Sequence, residues 1–175
     1  CDEIKIMSGG SVYINTDSVL NWDQVEILSN GSMFLNASVT LVNMHIADSG
    51  VLTHDTGQAG SILNITGDLI IDTGGAINLD GRGYGSSSGP GQGTDGASGG
   101  GAGYGGSGGV GTVAGGLAYG SFSQPQDLGS GGGIGSYGTG GCGGGAIRIS
   151  VTGDFSLNGE ITTNGLNGTG YNPPM

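Results

Sequence analysis

Residues 146–163 read AIRISVTGDFSLNGEITT. Ile147, Ile149 and Val151 alternate with Arg148 and Ser150, the period-two pattern of a strand with one buried face. Two short units follow, Gly153-Asp-Phe155-Ser-Leu157 and Gly159-Glu-Ile161. Both follow the form G-x-φ-x-φ, where φ is apolar. The same unit recurs in the first 80 residues: Gly10-Ser-Val12-Tyr-Ile14, Gly31-Ser-Met33-Phe-Leu35, Gly67-Asp-Leu69-Ile-Ile71 and Gly75-Ala-Ile77-Asn-Leu79, with a weaker copy at Gly50-Val51-Leu52. The Gly, or an Asn-Gly, Thr-Gly or Ser-Gly pair, supplies the turn. Further strands are expected at Val25 to Leu28, Val39 to Val42 and Met44 to Ile46. No segment shows a 3.6-residue apolar period, and Glu, Lys and Arg are scarce. The chain therefore reads as all-β.

The units from Gly10 through Gly31 and Gly50 to Gly67 are spaced by 17 to 21 residues. That spacing suits the coils of a parallel β-solenoid, each stacked only on its neighbours. The alternative is a β-sandwich with an ordered glycine-rich insertion. The return of the unit in 146–163 favours the solenoid, because a stack of coils can host a long insertion and then resume. The expected organisation is β-solenoid coils over 1–80, a glycine-rich insertion over 81–145, and resumed coil with an extended C-terminal tail over 146–175.

The insertion holds 30 glycines in 65 residues. In GSGGGIGSYGTGGCGGGA, residues 129–146, Gly129, Gly132, Gly135, Gly138, Gly141 and Gly144 fall at strict intervals of three. Gly100, Gly103, Gly106 and Gly109 do the same, as do Gly93, Gly96 and Gly99. Three residues per turn is the period of a polyproline-II helix, which has no internal hydrogen bonds. Its backbone groups point outward and need partners, which a second such helix can supply. Collagen does not fit: the phase slips, and only Pro90 and Pro125 lie in the insertion. The expectation is one chain folded back on itself as a bundle of polyglycine-II-like helices. Tyr84, Tyr104, Tyr119 and Tyr137, each followed by Gly, would supply one packing aromatic per leg, with Ile134 beside Tyr137.

The ordered string DGRGYG, GPGQG, GAGYGG, GSGGG and GGCGGGAIRISV resembles a glycine-rich module of large secreted or surface proteins of microbes and some eukaryotes, where it sits among β-helical repeats. The resemblance spans residues 67–165 and implies architecture and an extracellular setting, not chemistry. The glycine period alone is similar to that of glycine-rich arthropod antifreeze proteins.

Charge narrows the partners. Fourteen acids stand against Lys5, Arg82 and Arg148, for a formal charge of −11. Nucleic acid, whose phosphates need Lys and Arg, is disfavoured, as are acidic membrane surfaces. No apolar run is long enough to span a membrane. The sequence opens at Cys1 without a signal-peptide pattern, so a processed product or a piece of something longer is expected. Four sequons, at Asn30, Asn36, Asn64 and Asn167, suit a secreted glycoprotein carrying N-glycans. Cys1 and Cys142 could form one disulfide, pair with a neighbouring subunit, or both stay free.

Catalysis is not expected. Asp68, Asp72 and Asp80 lie on or beside adjacent strands, and paired carboxylates can hydrolyse glycosides. Asp at strand ends is, however, ordinary turn chemistry. His45 and His54 lack the spacing of a metal site or a triad. The net negative charge invites Ca²⁺, but no calcium-loop spacing occurs, so no metal or cofactor is expected. The leading expectation is a secreted, glycosylated structural protein that self-assembles head-to-tail into an extracellular filament or sheath. A binding or stalk module of a surface adhesin, with a carbohydrate or surface partner, is the alternative. Ice binding is a third, although the Thr residues form no evident ladder.

Overall fold

The computed structural model describes residues 3–19 and 22–170. Among these the chain is all-β, with no helix, and divides into two compact units. The first comprises residues up to 55, 60–78 and 147–162. Five successive coils build it. The first three are β1 (Glu3–Ile6), β2 (Ser11–Ile14), β3 (Ser18–Val19); β4 (Gln24–Ile27), β5 (Ser32–Leu35), β6 (Ser38–Leu41); and β7 (Asn43–Ile46), β8 (Val51–Thr53), β9 (Ser61–Ile65). The fourth contains β10 (Leu69–Ile71) and β11 (Ala76–Asn78), then closes with β12 (Ile147–Val151). The fifth has only β13 (Phe155–Leu157) and β14 (Glu160–Thr162).

Each of the first four coils adds a strand to each of three sheets and the fifth adds one to two of them, in the orders β1-β4-β7-β10-β13, β14-β11-β8-β5-β2 and β12-β9-β6-β3. Every strand pair is parallel, so the antiparallel sandwich kept as an alternative does not form. Ile6, Ile27, Ile46, Ile71 and Leu157 occupy one register position in the first sheet. Met33, Leu52 and Ile77 do so in the second, and Val39 and Leu63 in the third. These inward residues are fully buried in the central coils, each removing apolar surface worth about 1.5–3 kcal/mol.

The corner between the first two sheets explains the glycine of the repeat. Gly9, Asn30, Ser49 and Gly74 all have positive φ, and their amides chain from coil to coil: Gly9 to Asn30 O, Asn30 to Ser49 O, Ser49 to Gly74 O, each 3.0 Å. The next residue is always Gly. A Cβ on Gly31 would lie 2.6 Å from Ile6 O, and one on Gly50 would lie 2.6 Å from Ile27 O. The glycine is required because the coil beneath passes too close for a side chain. Gly67 and Gly153 precede β10 and β13 and so belong to a different corner. The equivalent of Gly50 in the fourth coil is Gly75, the two preceding paired strands β8 and β11.

The second unit comprises residues 56–59, 79–146 and those from 163 on. The expected boundaries shift accordingly. Residues 163–170 join the glycine-rich unit and are not part of the resumed coil. The reason is hydrogen bonding, as Leu166 and Thr169 donate to Cys142 O and Thr139 O at 2.8 and 2.9 Å. The tail from Tyr171 lies outside the described residues.

Candidate functional site

In the glycine-rich unit, after a turn at 86–91, extended segments run back and forth at 92–95, 99–104, 106–111, 113–119, 129–135, 138–145 and 163–170. Backbone hydrogen bonds between them recur every third residue. Gly129, Gly132 and Gly135 donate to Gly144, Gly141 and Gly138, each at 2.9 Å, which pairs the two segments antiparallel. Gly100 and Gly103 donate to Thr94 and Gly91, and Gly101 and Tyr104 to Gly109 and Gly106, again antiparallel. Gly116 and Tyr119 donate to Gly101 and Tyr104 in parallel sense. Space is equally periodic. A Cβ on Gly138, Gly141 or Gly144 would fall onto the carbonyl oxygen of Thr169, Leu166 or Thr163. Gly132 and Gly135, by contrast, have ordinary room, with no atom nearer than 3.6 Å.

Aromatics take three different roles. Tyr104 and Tyr119 meet edge to face, ring centroids 5.0 Å apart. The Tyr119 hydroxyl donates to Leu128 O and accepts from Ser130 Oγ, which in turn accepts from Gly91 N. Burial pushes the Tyr119 phenol up from its ordinary value, partly opposed by the Ser130 contact. Tyr84 lies against Gly89. Tyr137 departs from the expected packing role: it is 74% exposed, at the turn where Gly135 and Gly138 bridge. Ile134 beside it is likewise partly exposed. Asp95 pins this region by accepting from Ser87 Oγ and from Ile134 N, which holds its carboxyl below the usual range.

The candidate catalytic carboxylates have separate structural duties. Asp68 Oδ1 accepts Asp154 N at 2.8 Å in a corner ladder in which Asp68 N itself donates to Asn43 Oδ1. Asp80 accepts Asn164 N at 2.6 Å. Asp72 accepts from His45 Nε2 at 2.7 Å. His45, isolated in the sequence, thereby becomes part of a charged row on the outer face of the first sheet. Its Nδ1 lies 3.8 Å from Glu26, which also binds Lys5, and Lys5 contacts Glu3. The two carboxylates raise the Lys5 ammonium, Glu26 first and then Glu3. The repeat could have revealed this row, since Val25-Glu26-Ile27 and Met44-His45-Ile46 occupy the same coil position. His54 is fully buried, its Nδ1–H donating to Asp55 O at 2.7 Å. Among the described residues no cluster of three or more His, Cys, Asp or Glu could hold a metal ion. No helix among them is long and apolar enough to cross a membrane.

The sequons fall into two kinds. Asn36 is engaged by three hydrogen bonds: Nδ2 to Asn15 and Asp55, and Oδ1 from Asp55 N. Asn64 is mid-strand in β9 beside Thr40. Asn30 and Asn167 are exposed. Cys142 carries a free, half-buried thiol, while Cys1 lies outside the described residues. The outward register row Thr40, Asn64, Ser150 is mixed and forms no Thr ladder.

At the last coil the inward face opens. Leu69 and Ile71 are fully buried, but Phe155 and Leu157, paired with them in register, are 48% and 46% exposed. No family model, curated protein or solved structure matches this chain.

Proposed function

We propose that this chain is a non-catalytic structural protein of an extracellular surface, which associates head to tail through its β-coils. The observation that carries the reading is the open edge at β13 and β14. An unpaired strand edge is a template for another strand, and here half-exposed Phe155 and Leu157 accompany it. A heterologous joint of this kind does not close on itself and extends into a filament. The test is sedimentation velocity and negative-stain electron microscopy over a range of protein concentration. Linear oligomers that Phe155→Lys and Leu157→Lys reduce to monomers support the reading. Monodisperse monomers at every concentration and salt would overturn it.

In the same proposal the glycine-rich unit is a bundle of polyglycine-II-like helices. The three-residue recurrence of both hydrogen bonds and close approaches supports it, since that is the helix period. Its role is a rigid rib, held by backbone instead of side chains. Slow amide exchange across 129–145 is expected, and rapid unprotected exchange there would return the segment to a flexible linker. Glycans at the exposed Asn30 and Asn167 are part of the reading, and site mapping of the secreted protein tests them. A second reading, a binding module of a surface adhesin, is favoured by the apolar side chains that this unit displays to solvent, Val110, Leu117 and Phe122.

A further inference from the structure

Within the glycine-rich unit a shallow cleft of about 390 Å³ lies among segments 97–101, 132–135, 137–141 and 168–170. Its volume falls in the range of ligand sites. It adjoins a second cleft of about 400 Å³, with which it shares Gly101, Gly132, Gly141 and Gly168, and the pair is treated as one groove. In a chain with fourteen acids, no charged side chain lines either half. The lining is instead backbone, hydroxyl and aromatic. Gly99, Gly141 and Gly168 line the first cleft, and their amides donate no hydrogen bond among the described residues. Thr139 and Thr169 also line it, their hydroxyls hydrogen-bonded to each other at 2.7 Å. Tyr137 stands at its margin with its ring in solvent.

We infer that this groove binds a neutral oligosaccharide. Each feature matches a part of such a ligand. Unpaired amides and two hydroxyls suit sugar hydroxyls, which both donate and accept. An exposed aromatic face, negative at its centre, suits the C–H face of a pyranose ring. The absence of charged side chains leaves nothing to neutralise an acidic sugar, and the surrounding net charge of −11 repels one. This inference is independent of head-to-tail association, since every lining residue belongs to the glycine-rich unit.

The test is isothermal titration of the monomeric chain with neutral hexasaccharides of glucose, mannose and galactose, and with hexagalacturonate as the acidic probe. At least one neutral hexasaccharide binds, hexagalacturonate does not, Tyr137→Ala weakens binding at least ten-fold, and Tyr137→Phe binds like wild type. Tyr137 is exposed in a turn, so neither variant disturbs folding, and unchanged circular dichroism checks this. No binding by any neutral sugar, equal binding by Tyr137→Ala, or preference for the acidic probe would each overturn the inference. So would tighter binding of a hexaglycine peptide than of any sugar.

Discussion

The two units reach order by opposite means. In the coils, side chains hold the backbone: Ile27, Ile46 and Ile71 stack in register and are fully buried. In the glycine-rich unit the absence of side chains holds it. Segment 138–144 approaches 163–169 so closely that a single Cβ would strike a carbonyl at every third position. Leu79 and Leu128 are the two large aliphatic side chains buried there among the described residues. Glycine carries the largest backbone entropy cost on folding, so this order depends on the hydrogen bonds that replace packing. Apolar burial drives one unit, and backbone hydrogen bonding between segments drives the other.

Substitutions can break this contrast from either side. Ile46→Ala empties the centre of the aliphatic stack and is expected to cost about 2–5 kcal/mol, read from the urea midpoint of the coil signal. A loss below about 1 kcal/mol would show that the stack is not the source of coil stability. Gly141→Ala places a methyl group on Leu166 O, where only backbone can yield, and is expected to cost about 3 kcal/mol. Hydrogen exchange should then lose protection in 138–144 and 163–169 but not in the coil strands. Loss spread evenly over both units would erase the distinction.

Asp95 offers a smaller and pH-dependent probe. Its folded pKa lies below the ordinary 3.8, mainly through Ser87 and also Ile134 N. Its contribution is therefore present above that value and lost as pH falls through the folded pKa. Melting of wild type and Asp95→Asn should differ at pH 6 and converge toward pH 2. A constant difference would remove the carboxylate from the account. The smallest effect belongs to Gly106→Ala. Nothing lies within 4 Å of its Cβ position, so stability should change by about 0.5 kcal/mol or less. A large loss there would mean that this face is covered in solution.

Much of the coil was legible because strand alternation and turn glycine are local patterns. Met33 and Leu35, Val39 and Leu41, or Leu69 and Ile71 declare their buried face by themselves. The role of Gly31 was half legible: a turn was evident, but the reason for glycine is Ile6 O in another coil. The assignment of Gly67 to the same corner as Gly50 failed because both precede strands of identical pattern, and only pairing separates them. Tyr137 was indistinguishable from Tyr104 and Tyr119 in its Tyr-Gly context. Its exposure depends on what lies beyond the turn, which no local pattern records.

By itself the sequence determined the two periodicities, two in the strands and three among the glycines, because each is a spacing along the chain that is read without knowing what the segment meets. Only the tertiary structure decided what those periodic segments meet. It paired Ile46 with Ile71, 25 residues on, and Ile71 with Leu157 across the whole insertion. It set His45 between Glu26 and Asp72, and laid 163–170 against 138–145. The reason is that strand alternation and glycine spacing repeat identically from coil to coil and segment to segment. Register among equivalent partners is chosen by close packing and by hydrogen bonds between distant residues.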